Sequence, residues 1–143
     1  MCGHTRKYMN KKENKTMEGY STKIVETSKE LTGKERVKIK EMADFISLDE
    51  ATMNGNSIEF TPDYYAIVSV HNEKSKGDKD YEKYVVVDTE GNGYMTGSKS
   101  FWESFKNIIE EMDAEGDNDY AIKVFTRPSK NYTGKNFITC SII

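Results

Sequence analysis

Cysteine, proline and tryptophan are scarce in this chain, and it contains no long apolar run. Its 143 residues include two cysteines, two prolines and one tryptophan. Cys2 and Cys140 lie at opposite ends and form neither a disulfide framework nor a CxxC pair. The sequence therefore predicts a protein of the reducing cytoplasm. Because the longest apolar runs are only a few residues, no membrane span is expected.

The motifs of common catalytic sites are also missing. The sequence has no P-loop, HExxH motif, GxSxG elbow or zinc-ligand spacing. Cys2 and His4 are two potential ligands, whereas a structural zinc site needs four. His71 has no serine or cysteine nucleophile in a recognisable elbow. The sequence therefore predicts a protein that is not an enzyme and that uses no cofactor or metal.

Charge is segregated along the chain, although the net charge is only −3. Seven acids and one base lie between Glu103 and Asp119, whereas four bases and no acid lie between Lys123 and Lys135. A second basic stretch, Lys34 to Lys40, has four bases and one acid. Such asymmetry permits a local positive groove that attracts a polyanion. The alternative interpretation is a set of ordinary solvated faces.

The length fits one domain, which can bury about two-thirds of its unfolded surface. Residues 1–18 are polar and basic without a period, so we expect a disordered arm followed by one domain over residues 19–143. Alternation predicts strands in that domain. Before the C-terminal hairpin, the predicted strands are Tyr20–Thr27, Glu35–Met42, Ser57–Thr61, Tyr64–His71, Tyr81–Asp88 and Tyr94–Thr96, with Tyr81–Asp88 central in the sheet.

The clearest predicted helix runs from Ser100 to about Met112, and Asp44 to Met53 is predicted as a short helix or a turn. Ser100 and Glu103 have the spacing of a capping box. An apolar stripe at helical spacing predicts the face that enters the core. Trp102 lies off that stripe and is expected to cover a sheet edge or a partner. The stripe consists of Phe101, Phe105, Ile108, Ile109 and Met112.

The C-terminal residues, from Asp119 to Ile143, predict a hairpin with two chemically different faces. Successive side chains leave a strand on opposite sides, so Ile122 and Val124 turn inward while their neighbours turn outward. The outward side then combines rings and cations, which suits single-stranded nucleic acid. A register slip of one residue would exchange the two faces. The candidate binding residues, including an outward cation row on the predicted Glu35–Met42 strand, are Arg36, Lys38, Lys40, Lys123, Phe125, Arg127, Lys130, Tyr132, Lys135 and Phe137.

The order of these elements is that of an OB-fold. The predicted class is mainly β with one α-helix, as an OB-fold-like five-strand Greek-key barrel whose helix falls between strands three and four. In such a barrel the last hairpin loop helps to bind oligonucleotides.

The C-terminal third also carries motifs of a known family. SKSFWESF opens the predicted helix and RPSKNYTGKNFITCSII closes the chain. Over residues 95–143 the sequence resembles the single-stranded DNA-binding proteins of tailed bacteriophages and related prophages, which are OB-fold proteins. The resemblance implies sequence-nonspecific binding and protection of single-stranded DNA in phage replication or recombination, in the host cytoplasm. A homodimer is a possible further partner.

A different class of function stays open at this point. The acidic helix face, with Glu103, Lys106 and Glu110, and the off-stripe Trp102 also fit a small phage-encoded protein-interaction module or inhibitor. Such a protein would act on a host protein through that helix face. The two hypotheses differ in the residues they require, since the inhibitor would not depend on the cations and rings of the C-terminal hairpin.

Overall fold

Strands dominate the protein. The computed structural model describes residues 19–130 and 134–143. Of these, 42% lie in strands and 27% in helices, which confirms the predicted mainly β class. The predicted arm, residues 1–18, lies outside the described residues, as does the hairpin-loop segment 131–133.

The elements follow one another in short steps along the chain. In order they are β1 Tyr20–Thr27, α1 Gly33–Glu41, β2 Ile46–Ser47, α2 Leu48–Ala51, a 3-10 turn Met53–Gly55, β3 Ile58–Phe60, β4 Pro62–Asn72, β5 Asp80–Asp88, β6 Gly93–Thr96, α3 Lys99–Glu115, β7 Ile122–Pro128 and β8 Asn136–Ile142.

Five of the strands form one sheet, in the order β1-β4-β5-β6-β2. All neighbours in it are antiparallel except β2 and β6, which are parallel. β5 lies in the middle, as predicted from its apolar run, and Val85 there is opposite Ala66 of β4 and Met95 of β6. A strand flanked on both edges and covered on both faces must be apolar throughout, which explains the Tyr84–Val87 run.

The segment predicted as the strand Glu35–Met42 is a helix, so that prediction is wrong. Thr32 caps α1 through a capping box: Glu35 N donates to Thr32 Oγ1 at 3.2 Å, and Thr32 N donates to Glu35 Oε1 at 2.9 Å. Such a box satisfies two amides at the helix start. Within α1 only Ile39 is buried, whereas Val37 is 55% exposed. Within α1, Ile39 therefore supplies the buried contact with the sheet.

The five-stranded sheet separates two apolar clusters. On one face Ile39 of α1 packs with β4 and β5 residues such as Val68 and Val85. On the other face Val86 packs with α3 and with a second sheet, which β3, β7 and β8 form. Because alternate side chains of one strand leave on opposite sides, β4 and β5 contribute to both clusters. α1 and the second sheet consequently lie on opposite sides of the five-stranded sheet.

α3 is the predicted helix, but it begins one residue earlier than expected, and its cap lies two residues before the predicted one. Ser98 is its cap, accepting from Phe101 N at 3.2 Å, and Gly116 ends it in the left-handed conformation (φ 73°). Phe101 and Phe105 are fully buried, and each contributes about 1.5–3 kcal/mol by leaving water.

Within the described ranges, no helix is both long and apolar enough to cross a bilayer.

Trp102 also belongs to the core, on the side of α3 that faces the five-stranded sheet. Its ring stacks on that of Tyr84, with centroids 5.0 Å apart and planes 4° from parallel. The Trp102 and Tyr65 rings form a T-shaped pair with their centroids 5.0 Å apart. Trp102 is 9% exposed and covers the face of the central strand β5, not the sheet edge that was expected.

The remaining strands form a three-stranded antiparallel sheet in the order β3-β7-β8. α3 covers its β8 edge through two serines. Ser100 Oγ donates to Ile138 O at 2.8 Å, and Cys140 N donates to Ser104 Oγ at 3.2 Å. Covering an edge in this way prevents it from pairing with another strand. Ser100 thus serves the sheet rather than the predicted helix cap.

The predicted five-strand barrel is not confirmed. The described strands form two sheets that share a core instead of one closed sheet. The expectation of a single helix is also wrong, because α1 accompanies α3, whereas α2 falls within the segment predicted as a short helix or a turn. The C-terminal order was predicted correctly, because the long helix is followed by a two-stranded hairpin.

Candidate nucleic-acid interface

The C-terminal hairpin has the two faces that alternation predicts. Ile122 and Val124 of β7 and Ile138 and Cys140 of β8 are buried in the core shared with α3. The intervening residues therefore turn away from that core, and no one-residue slip has occurred. We call this side of the sheet the outer face. Its members are Glu59 of β3, Lys123, Phe125 and Arg127 of β7, and Phe137, Thr139 and Ser141 of β8.

Cations flank an accessible ring at the centre of the outer face. The guanidinium carbon of Arg127 lies 5.2 Å from the ring centroid of Phe125, and Lys123 Nζ lies 6.0 Å from it on the other side along the strand. Both distances are within the range of cation–π attraction. Phe125 is half-buried while both cations are exposed. The ring thus lies between two cations and keeps part of its surface exposed.

A second ring lies on the neighbouring strand. Phe137 of β8 is directly opposite Arg127, and Phe125 is opposite Thr139. The two rings are therefore diagonal neighbours on one face, a separation of about 7–8 Å between backbones that large side chains can span. Together with Pro128, Ser129 and Lys130 they line a shallow depression at the loop end of the hairpin.

The base of the hairpin loop adds charge at the same end. Ser129 N donates to Lys135 O at 2.8 Å, so the strands remain paired to this point. Lys130 follows the end of β7 and Lys135 precedes the start of β8, and both side chains are exposed. Tyr132, the remaining predicted loop residue, lies outside the described residues. The positive charge of the outer face is therefore concentrated toward the loop.

At the opposite end the outer face carries an acid that the sequence did not reveal. Glu59 of β3 pairs directly with Lys123, and its side chain is exposed. Opposite charges in directly opposed positions attract each other across a sheet. Glu59 thus offsets part of the positive field at Lys123, so Arg127 and Lys130 are the cations best placed to meet a polyanion. Only the pairing of β3 with β7, which no local pattern specifies, brings Glu59 here.

Three of the predicted binding residues do not join the outer face. Arg36, Lys38 and Lys40 lie on α1, across the five-stranded sheet from the β7–β8 hairpin. Because α1 is a helix, these residues also do not form the expected row at strand spacing. Arg36 Nη1 instead donates to Leu31 O at 2.6 Å, a structural contact. The predicted continuous surface over both basic segments is therefore wrong.

His71, weighed above as a catalytic candidate, lies in an exposed charged cluster at the end of β4. Its Nδ1 is 2.7 Å from Asp80 Oδ1 and its Nε2 is 2.6 Å from Glu73 Oε1. Hydrogen bonding to Asp80 and then to Glu73 raises the pKa of His71 above 6.5. Both ring nitrogens are thereby engaged, an arrangement suited to a cation held between two carboxylates.

Asp88 is a buried carboxylate with a structural role in the turn after β5. Burial alone would raise its pKa, but hydrogen bonds from Tyr94 and from the turn lower it overall. Tyr94 Oη donates at 2.7 Å, and Glu90 N and Asn92 N donate at 2.9 Å each. The acceptor capacity of Asp88 is consequently occupied by the hairpin. Among residues 19–130 and 134–143, no three His, Cys, Asp or Glu side chains are grouped to hold a metal ion.

Comparison of the chain with protein-family models, with curated proteins and with solved structures finds no match.

Proposed function

We propose that this protein binds single-stranded DNA, without sequence specificity, through the outer face of its three-stranded sheet. The observation that supports this most strongly is the position of Phe125 and Phe137 on one accessible face, with Arg127 5.2 Å from the first ring and opposite the second. Rings accept unpaired bases of any identity, whereas cations attract the phosphates between them.

The arrangement favours a single strand over a duplex. The bases of a duplex are already stacked on one another, so the half-buried rings of a flat sheet face cannot reach them. An unpaired strand can place successive bases on Phe125 and Phe137, and each stacked base contributes roughly 1–3 kcal/mol. Arg127 and Lys130 then lie beside the sugar-phosphate backbone. Such a site discriminates by strandedness and not by base identity.

The net charge of −3 is compatible with this activity because the charge is unevenly distributed. A local field, and not the total charge, steers a ligand over the last Debye length, which is about 10 Å at ordinary salt. The motif resemblance of residues 95–143 to phage and prophage proteins is a second support, and it suggests a role in replication or recombination. A closed OB barrel is not needed, because the binding surface belongs to one sheet.

The alternative of a protein-interaction module used the acidic face of α3, where Glu103, Lys106 and Glu110 are exposed, together with Trp102 as a surface contact. Trp102 is instead stacked on Tyr84 within the core. The outer face, by contrast, keeps its rings accessible. We therefore prefer the nucleic-acid proposal.

Fluorescence anisotropy tests the proposal directly. The titration uses a labelled oligo-dT of about 30 nucleotides, longer than the site of a typical single-strand-binding domain, beside the matching duplex and at two salt concentrations. We expect binding to the single strand that weakens with salt, and much weaker binding to the duplex. Equal affinity for both, or no binding at low salt, would reject the proposal.

Two charge-matched double variants then locate the site. Arg127→Ala/Lys130→Ala removes two positive charges from the outer-face side, and Lys38→Ala/Lys40→Ala removes two from α1. If each cation of the first pair contacts one phosphate, the salt slope of the first variant falls by about 1.4, since each contact contributes about 0.7 for a single strand. The second variant should keep the wild-type slope. The same loss in both variants would mean that only net charge matters.

A further inference from the structure

A cleft opens on a different part of the molecule, where the start of β4 faces the second half of α3. It has a volume of about 450 Å³, within the roughly 300–1,000 Å³ that small-molecule sites occupy. Side chains from β4, from α3 and from the loop before β7 line it. The lining residues include Asp63, Tyr65, Phe105, Ile109, Asp113 and Tyr120.

Aromatic and aliphatic groups form part of the cleft wall. Phe105 is fully buried, and the edge of its ring meets the Tyr65 ring with centroids 6.3 Å apart. Ile109, one helical turn further along α3, and Tyr120 are half-buried and pack against the same core. The exposed parts of Ile109 and Tyr120 offer an apolar ligand a surface that is already assembled.

Two carboxylates that line the cleft form no ion pair with a cation of the described residues. Asp63 and Asp113 are exposed, and neither forms an ion pair with any residue of the ranges 19–130 and 134–143. Lys29 also lines the cleft, but its Nζ lies 3.3 Å from Glu35 Oε2 and 4.2 Å from the Tyr64 ring centroid. Its charge is therefore already matched, and the rest of the cleft is acidic.

The tyrosine hydroxyls experience this negative field. Burial raises the pKa of Tyr65, and its hydrogen bond to Glu26 and the charge of Asp113 raise it further. Burial likewise raises the pKa of Tyr120, and Asp113 again adds to the effect. Asp113, Tyr65 and Tyr120 come from three different parts of the chain and line the same cleft.

We propose that this cleft binds a small organic cation, an ammonium or guanidinium group carried on an apolar body. The apolar body would contact the exposed parts of Ile109 and Tyr120, and the cation would lie between the carboxylates and the tyrosine rings. Attraction to a ring face contributes about 0.5–2 kcal/mol, and the unpaired carboxylates add to it. An anion or a neutral molecule of the same shape would lose that second contribution. The proposal does not depend on DNA binding.

The protein contains its own reporter for this site. Trp102 is its only tryptophan, and the ring centroid of Trp102 lies 5.0 Å from that of Tyr65 in the cleft wall. A ligand that contacts Tyr65 should therefore change tryptophan fluorescence. The full chain is titrated with benzylammonium, with benzyl alcohol as its neutral analogue and with a blocked arginine residue as the form that a protein partner would present.

Saturable binding of either cation, at least about 5-fold tighter than benzyl alcohol, is the expected result. Tighter binding of benzylammonium would identify a free amine as the ligand, and tighter binding of the blocked arginine would identify a basic side chain. Equal binding of benzyl alcohol, or no saturable change with any of the three, would overturn the proposal.

Two variants of α3 test the position of the site. Asp113→Asn removes a charge that lines the cleft, whereas Glu111→Gln removes an exposed charge of the same helix that does not line it. We expect the first to weaken benzylammonium binding about 5-fold and the second to have little effect. Both side chains are exposed, so both variants should fold. Equal loss in the two variants would reject the cleft as the site, whatever the result for oligo-dT.

Discussion

The outer face and the acidic cleft use the same kind of side chain in opposite electrostatic settings. On the outer face Phe125 lies between Lys123 and Arg127, whereas in the cleft Tyr65 and Tyr120 lie near Asp113. The first surface is open and nearly flat, and the second is concave. Aromatic content alone therefore does not predict a ligand. The sign of the neighbouring charges and the shape of the surface decide between a polyanionic strand and a small cation.

α3 connects these two regions. Its Phe105 lines the cleft and belongs to the core on which the hairpin packs, and its Ser100 and Ser104 bond to β8. The two surfaces consequently share one scaffold while facing different directions. Changes to that scaffold should affect both surfaces, and changes to exposed side chains should affect only one.

The largest effect that we expect comes from Phe105→Ala. Removing a fully buried ring should lower the free energy of unfolding by about 3–5 kcal/mol, measured by chemical denaturation. Both binding activities should then be lost together as the folded fraction falls. The control is Val37→Ala, which shortens an exposed apolar side chain and should change stability by no more than about 0.5 kcal/mol. A loss of cation binding at unchanged stability would show that α3 is not the common support.

Phe137→Ala should separate the two surfaces. Loss of one stacking ring should weaken oligo-dT binding by about 1–3 kcal/mol, measured by anisotropy. Because Phe137 is on the outer face, benzylammonium binding, read from Trp102 fluorescence, should not change. A parallel loss in both titrations would indicate an indirect effect through the shared core, and unchanged DNA affinity would remove Phe137 from the site.

Ser100→Ala should have a smaller effect, confined to the support of the outer face. The substitution leaves the carbonyl of Ile138 without its 2.8 Å hydrogen bond, which costs about 0.5–1.5 kcal/mol in the free energy of unfolding. Amide hydrogen exchange should increase at the β8 edge more than in β4. Ser21→Ala, an exposed change on β1, is the control and should alter neither quantity. Unchanged exchange at Cys140 would contradict the role given to this contact.

Local patterns were sufficient for most strands and for both faces of the hairpin. Alternation over residues 122–128 and 136–142 correctly separates Val124 and Cys140 from Phe125 and Phe137, because one strand period decides each side chain. The same rule failed for α1. Arg36, Lys38 and Lys40 alternate with Val37 and Ile39, which mimics a strand, although Thr32 and Glu35 have the spacing of the capping box that starts the helix.

Neither surface could be completed from sequence, because each depends on contacts between distant segments. Glu59 reaches the outer face through the pairing of β3 with β7. Asp63 of β4 and Asp113 of α3 line the same cleft. No spacing rule relates positions that far apart in the chain. The separation of α1 from the hairpin likewise follows from which face of the five-stranded sheet each one covers.

The smallest effect concerns pH and involves neither surface directly. His71 lies at the far end of β4 from Tyr65, held by Asp80 and Glu73, and Lys79 Nζ lies 3.8 Å from Glu73. Hydrogen bonds to Asp80 and Glu73 raise the pKa of His71 in the folded protein above 6.5. The folded state therefore binds the proton more tightly than the unfolded state does.

The sign of the pH effect follows from that difference. The stabilisation from protonated His71 is fully present below pH 6.5, while the carboxylates are ionised, and is lost as pH rises through the raised pKa. Denaturation of the wild type and of His71→Gln at several pH values should give curves that converge on the alkaline side. At a pH where both are folded, their affinities for oligo-dT and benzylammonium should be equal. A stability difference that grows with pH would show that the neutral imidazole is the preferred form, and altered affinity at either surface would show that the hairpin after β4 is coupled to it.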